Sequence, residues 1–352
     1  MFKIISYKVV IIPALLLIQS LCFAQYPPIQ KVAADFKALL QRPIVAANPS
    51  FTTIKNNDVI IERGTINTGV NEKMPVLIYK PTTGQKNYPV VIFMHGTGGS
   101  KDSKEVTDML LKLTKIGIIG VGIDARYHGE RIAGGAHGGT EYTAAAYEVW
   151  KNTDPKKQTY PFLYDTSYDL WRLIDYLVTR PDVQADRIGM SGISMGSMQT
   201  YLAAAVDKRV KVIVLNIAAQ SFKWSLDNDQ WQGRAGTIKD AHQKAASDMG
   251  EKELNKKNVK AMWDKIVPGI TDEFDCPSMI RLLAPRPLLV LSNEKDQNCP
   301  LPGALIAFES AKQAYTTQKA ADKLKMDVAP NEPHRSTPQH IQMTLDWFAK
   351  WL

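Results

Sequence analysis

The chain predicts an α/β fold, with a mostly parallel central sheet flanked by helices and a helical insertion ahead of the acid-bearing strand. Three observations carry that expectation. Short apolar runs of strand length recur at Tyr88–Met94, Gly117–Ile123, Val210–Asn216 and Pro287–Ser292, and runs without polar alternation are what strands buried on both faces require. Segments of helical composition separate them, among them Glu105–Lys115 and Leu305–Thr316, which is the alternation of a helix-covered parallel sheet. Finally, Gly192-Ile193-Ser194-Met195-Gly196 stands between the apolar run Arg187–Gly192 and the helical stretch Met198–Val206. Ser194 is thereby placed on a strand-to-helix turn.

Taken in order, residues 1–24 carry Lys3 and Lys8, an apolar run from Val9 to Ile18, and Cys22-Phe23-Ala24 before Gln25. That is the layout of a secretory signal peptide cleaved after Ala24, and the apolar run is short for a bilayer span. Leu21 stands before Cys22 where a lipidation signal needs a small residue, so no lipid anchor is expected. Export to the periplasm or the medium follows, as a chain with no membrane insertion after cleavage. Residues 25–352 read as a single domain. Its first part, 25–87, supplies a helix near Val32–Leu40 and two antiparallel strands near Asp58–Asn67 and Met74–Lys80. A Gly-rich loop then leads to a helix over Tyr168–Val178 that stops ahead of Arg180-Pro181, where proline cannot continue it. A strand at Lys323–Val328 and a helix at Pro338–Leu352 close the chain.

The 352 residues carry a formal charge of +8, and the basic residues are interleaved with acids, as in Lys252–Lys260 beside Glu251 and Glu253. No basic stripe with interleaved aromatics marks a nucleic-acid surface, so no nucleic-acid partner is expected. Cys276 and Cys299 remain after processing. An oxidising compartment permits a bridge between them, and two buried free thiols is the alternative. No histidine or further cysteine has ligand spacing to them, so neither a metal nor any other cofactor is expected. Residues 219–275 show no strand pattern and contain Trp224, Trp231 and Trp263 among many charges. This segment is either a cap-like insertion that walls a pocket, with Trp224 and Trp231 as lining candidates, or a decoration anchored by its aromatics.

A serine hydroxyl is a weak nucleophile at neutral pH. It needs a base to take its proton and a carboxylate to hold that base in the useful tautomer. Both partners are expected after later strands: Asp296, following Pro287–Ser292, and His334, in Asn331-Glu332-Pro333-His334-Arg335 ahead of the closing helix. Glu294 is the rival acid. His340, inside the last helix, reads as structural. Negative charge develops on a carbonyl oxygen under attack, so N–H donors are needed to receive it. The backbone of Met195 supplies one. The glycine-rich bend His95-Gly96-Thr97-Gly98-Gly99 after Tyr88–Met94 supplies the other, with Thr97 first and Gly98 second, and His95 is a further candidate for substrate contact. The bend lacks the Lys-Ser/Thr pair of a P-loop and the glycine spacing of a dinucleotide site. Asp124-Ala125-Arg126-Tyr127-His128-Gly129-Glu130-Arg131 follows another strand. Arg126 or Arg131 could meet an anionic substrate group, or the two arginines and two acids of this loop could satisfy one another.

In the bend at 95–99, the turn at 192–196, the Asp296 loop and the His334 loop, taken in that order, the chain resembles the α/β-hydrolase superfamily over its whole mature length. Pro181–Gly189 and Ala284–Val290 resemble stretches of its dienelactone-hydrolase-like, acetyl-xylan-esterase-like and prolyl-oligopeptidase-like branch. The resemblance implies a serine hydrolase acting on small-molecule esters, acylated carbohydrates among them, through Ser194, His334 and Asp296. Dienelactone hydrolases use cysteine where this chain has Ser194, which departs from that substrate. A peptidase of the prolyl-oligopeptidase-like type is the second reading, although the segment before Tyr88 is too short for the propeller of those enzymes. A non-catalytic binding protein on the same scaffold is the third.

Overall fold

A computed structural model describes residues 26–55, 59–135 and 138–352; the leader expected over residues 1–24 lies outside them. The strands are β1 (Ser50–Lys55), β2 (Val59–Gly69), β3 (Glu72–Pro81), β4 (Tyr88–Met94), β5 (Ile119–Ile123), β6 (Val183–Gly192), β7 (Val210–Asn216), β8 (Leu288–Asn293) and β9 (Leu324–Ala329). The helices are α1 (Ile29–Leu39), α2 (Lys104–Lys115), α3 (Gly139–Lys151), α4 (Tyr164–Leu177), α5 (Met195–Val206), α6 (Phe222–Asp227), α7 (Gln232–Gly236), α8 (Lys239–Asp248), α9 (Lys256–Ile266), α10 (Cys276–Ile280), α11 (Leu301–Thr317) and α12 (Pro338–Trp351). None of them, among the described residues, is long and apolar enough to cross a membrane.

All strands join one sheet in the order β1-β2-β3-β5-β4-β6-β7-β8-β9. β1, β2 and β3 pair antiparallel and β3 meets β5 antiparallel. From β5 through β4, β6, β7 and β8 to β9 every pair is parallel. The sheet is helix-covered on both faces because its apolar strands alternate between two cores. Val90 and Ile92 of β4, Ile213 and Leu215 of β7, and Leu288 and Val290 of β8 face the core shared with α1, α4 and α5. Val91 and Phe93, Val212 and Val214, and Leu289 and Leu291 face α2 and α12. Period-two alternation of apolar with apolar is the geometry behind the unbroken runs of the sequence, and each fully buried Val, Leu or Phe stabilises the fold by about 1.5–3 kcal/mol. Parallel pairing also sends the loops after β4, β5, β6, β8 and β9 to one edge, where ligands bind in open α/β sheets.

Two elements were not expected from the sequence. β1 (SFTTIK) lies at the sheet edge and is almost wholly exposed, so it has no apolar alternation to betray it. α3 (GTEYTAAAYEVWK) starts at a glycine in the Gly-rich stretch, where its composition reads as loop. Burial of Tyr142, Ala145, Ala146 and Val149 makes it a helix, an override of local propensity by tertiary packing. α4 begins at Tyr164, four residues before its expected start, and β6 begins at Val183.

Between β7 and β8 the chain makes α6 to α10. Asp275 clasps the two ends of this excursion. Its carboxylate receives the Ser221 hydroxyl (2.6 Å) and the backbone N–H groups of Phe222 (2.8 Å) and Cys276 (2.8 Å). Burial nevertheless pushes the Asp275 carboxyl up to about 7. Cys276 and Cys299 are both buried free thiols, so the chain carries no bridge between them.

Candidate active site

Ser194 closes β6 and opens α5 with φ 51° and ψ −112°. A left-handed conformation at a non-glycine residue costs about 1–3 kcal/mol and persists only where neighbours enforce it. Here they do. The Ser194 N–H donates to Asn216 O (3.1 Å), Ile193 N–H to Met94 O (3.0 Å), and Gly196 N–H to Ile193 O (2.9 Å). A Cβ on Gly196 would lie 2.4 Å from Met94 Cβ, and one on Gly192 would lie 2.6 Å from the Gly196 carbonyl carbon. Both flanking residues must therefore be glycine if β6, α5 and the β4 end are to meet this closely. Ser197, which the sequence reading passed over, donates to Gly192 O (2.7 Å) and accepts from Asn216 N–H (2.9 Å), buttressing the turn.

His334 comes from the loop after β9, with Nε2 2.8 Å from Ser194 Oγ and Nδ1 2.7 Å from Asp296 Oδ2. The other oxygen of Asp296 accepts the N–H groups of Asn298 and Cys299, each at 2.8 Å. Asp296 is 4% exposed. Glu294, the rival acid, points elsewhere and accepts the Asn331 N–H (2.7 Å). Two asparagines at strand ends hold the histidine loop: Asn293 donates to Arg335 O (2.8 Å) and also to Pro333 O, and Asn216 donates to Ser336 Oγ (2.8 Å). Their signal in the sequence is only an amide ending an apolar strand. His340 sits inside α12, with Nε2 3.1 Å from Asp327 Oδ2.

On the other flank, the bend at 95–99 and the loop at 124–131 are cross-linked reciprocally. His95 Nε2 accepts the Ala125 N–H (3.1 Å), and His128 Nε2 accepts the Gly98 N–H (3.1 Å). Each ring then donates from Nδ1, His95 to Gly96 O (2.7 Å) and His128 to Arg126 O (2.8 Å). Burial pushes the two imidazoles down, His95 to about 4 and His128, with His95 beside it, to about 3. Gly98 thus spends its N–H inside the protein, and His95 is fully buried with both nitrogens engaged. Neither is free to meet a substrate. The N–H groups of Thr97 and Met195 have no protein acceptor among the described residues, and Met195 also begins α5, the positive end of a helix dipole.

The arginine side chains of the 124–131 loop are nearly buried and turned toward acids outside the loop. Arg126 forms a two-pronged pair with Asp169 (Nε 2.7 Å, Nη2 2.8 Å) and a further contact with Glu72 (2.7 Å), and Arg131 approaches Asp169 at 2.8 Å. Burial alone would raise the Asp169 carboxyl, but Arg126 and Arg131 overcome it and hold the group below the usual carboxylate range. Of the two acids within the loop, Asp124 pairs with the fully buried Lys101 (3.0 Å), and Glu130 with Lys101 (2.8 Å) and Arg63 (2.8 Å). The arginines and acids of the loop do not satisfy one another, as one of the two expectations had it; their partners come from α4, β2, β3 and the turn before α2. Trp231 packs in the main core, and Trp224 lies beside Gly303 of α11. One trio of metal-competent groups converges among the described residues: Asp296, Cys299 and His334, with ligand atoms within 4.8 Å of one another. It is the acid–histidine pair plus a neighbouring thiol, and burial pushes that thiol up to about 12, leaving it protonated and a poor ligand.

Comparison with known proteins agrees with this architecture. YtaP of Bacillus subtilis (strain 168), named provisionally as a hydrolase, is 26% identical over 305 residues, 83% of this chain and 88% of that protein. Among solved structures, acetyl xylan esterase 1 from Thermoanaerobacterium sp. JW/SL YS485 superposes with a TM-score of 0.66 at 16% identity, covering 95% of this chain and 98% of that one. The glucuronoyl esterase of Solibacter usitatus gives 0.62 at 16% identity, with 92% of each chain covered. Methylesterase BT1017 gives 0.65 at 18% identity, and there the match spans 92% of this chain but 63% of the other. At these identities the structures share the fold. The sequence profile of the abhydrolase family matches residues 30–330, and the chain belongs to that family, the α/β-hydrolases.

Proposed function

We propose that the protein is an exported serine esterase that hydrolyses small carboxylic esters, acylated carbohydrates among them, through an acyl-enzyme. The observation that carries this reading is the continuous chain Ser194 Oγ, His334, Asp296 at 2.8 and 2.7 Å, on a strained turn that aims the largely buried serine hydroxyl at the histidine. Ser194 Oγ attacks the carbonyl carbon while His334 Nε2 takes its proton. Asp296 holds the ring so that Nδ1 carries hydrogen and Nε2 faces the serine. The carbonyl oxygen, becoming negative, meets the N–H groups of Met195 and Thr97. His334 returns the proton to the departing alkoxide, and the alcohol leaves. A water, deprotonated by His334, then releases the acid and regenerates Ser194. The family supports hydrolysis, and the fold relatives named as acetyl xylan, methyl and glucuronoyl esterases favour esters over amides. Export rests on the leader-like residues 1–24.

The test is covalent labelling with a fluorophosphonate followed by peptide mass mapping, together with turnover of acetylated xylo-oligosaccharides against aminoacyl amides. A single adduct on Ser194 and preferential ester cleavage are expected. An unlabelled Ser194 in folded protein would leave a binding protein on this scaffold, and preferential amide cleavage would make the enzyme a peptidase.

A further inference from the structure

The excursion between β7 and β8 grips the catalytic acid from behind. α7 lies over the loop that carries Asp296, so closely that a Cβ on Gly233 would fall 2.2 Å from the Gln297 carbonyl oxygen. The next residue, Arg234, is 2% exposed. Its Nη2 donates to Asn298 O (3.2 Å) and to Cys299 Sγ (2.9 Å). Gln220, with its amide oxygen turned to the guanidinium, accepts from Arg234 Nε (3.0 Å) and donates to the same Asn298 oxygen (2.7 Å). The Cys299 thiol donates in turn to Ile217 O (3.2 Å).

The Asn298 oxygen belongs to the peptide joining Asn298 to Cys299, and the N–H of the same peptide donates to Asp296 Oδ1. One planar amide therefore has a buried cation on its carbonyl and the catalytic carboxylate on its N–H. A cation on the oxygen draws electron density from the nitrogen and strengthens the N–H as a donor. The plane also transmits position. Rotating the peptide to loosen one contact breaks the other. Arg234's partners among the described residues are a carbonyl, a thiol and a carboxamide, none of them a carboxylate. A buried guanidinium without a counter-ion is costly, and the charge it faces across this amide is Asp296.

We propose that Arg234 is a positioning residue for the reaction. It fixes the 298–299 peptide and so sets Asp296 against His334, which makes the excursion part of the catalytic apparatus. This rests on Ser194, His334 and Asp296 forming the working triad.

The experiment measures kcat and KM on p-nitrophenyl acetate for the wild type, R234M and R234K, normalised to the folded fraction from thermal melting. R234M is expected to lose about 10- to 100-fold in kcat with KM nearly unchanged, because an interaction made through the acid acts in the transition state. R234K should fall between the two, since it keeps the charge but not the planar fork. In a D296N background, R234M should add almost nothing, the non-additivity of residues acting as one unit. A kcat per folded molecule equal to wild type in R234M overturns the proposal, whatever happens to the melting temperature. If R234M does not fold, R234K decides, and an unchanged kcat there overturns it equally. A wild type without ester turnover or a Ser194 adduct sinks the esterase reading first, and this inference with it.

Discussion

Ser194 stands between two histidine environments that use the same ring in opposite ways. His334, partly exposed, has a carboxylate on Nδ1 and the serine hydroxyl on Nε2. In the proposed reaction a proton taken at Nε2 is held beside the Asp296 carboxylate on the other side of the ring, an arrangement suited to carrying the proton and giving it back. His95 and His128, deep in the sheet edge, have backbone N–H groups on Nε2 and carbonyls on Nδ1. A proton arriving at either Nε2 would face another N–H and lose the bond that joins the two loops. Burial holds both in the neutral form, with values of about 4 and 3. What faces the second nitrogen, more than the presence of a histidine near a serine, separates a proton carrier from a rivet.

The comparison can be broken first on the carrier side. D296N should leave His334 in place but favour the wrong tautomer, lowering kcat by about 10⁴-fold with little change in melting temperature; steady-state kinetics and thermal melting check it. A loss under tenfold would mean that the acid does not orient the ring.

On the rivet side the effect is smaller and has a different signature. H128A should lower kcat by about 10- to 100-fold, because the bend that presents the Thr97 N–H loses its tie through Gly98. H128Q, whose amide oxygen can replace Nε2 as acceptor, should recover most of that loss. The same pair tests pH dependence. The folded values of His95 and His128 lie below the ordinary 6.5, so the unfolded chain binds protons that the fold refuses. Their contribution to stability is complete above about pH 6.5 and falls as pH drops towards 4, by about 1 kcal/mol per pH unit for each ring. Asp275, pushed up to about 7, works against this slope. The informative quantity is thus the difference between wild type and H128Q in urea denaturation from pH 6.5 to 4, where H128Q should lose less. Parallel slopes would refute the neutral, accepting role of His128.

The smallest effect belongs to E294Q. Glu294 accepts only a loop N–H on the exposed side of the acid strand, so its kcat should match wild type within about twofold by the same kinetics.

The contrast between flanks also explains what the sequence reveals. The parallel core was legible because β4, β7 and β8 are apolar on both faces, and the serine turn because glycines flank it where strand composition gives way to helix. The acid and histidine could be proposed from chain order, but no local pattern separated Asp296 from Glu294; the turn of the loop onto the Asn298 and Cys299 N–H groups does that in space. Ser197 and Arg234 carried no signal, and Asn216 and Asn293 carried only that of an amide ending an apolar strand. Asn216 acts on Ser336, Asn293 on Arg335 and Arg234 on Cys299, all far away in the chain, and pairings of that kind are written by sheet order. The same holds for Arg126, whose acids lie in β3 and α4 rather than in its own loop.

Sheet order has one more consequence, in time. Ser194 and His334 are 140 residues apart, and the histidine lies in the loop after β9, the last strand, which pairs with β8. A chain that emerges from its N-terminus can shape the serine turn early, yet it holds no proton acceptor for that serine until nearly all of it has been placed. Long-range pairings form late because their loops are entropically expensive to close. On the proposed mechanism the serine turn gains its proton acceptor only once β9 and the loop after it are in place, so the hydrolase is expected to be armed late in its own folding.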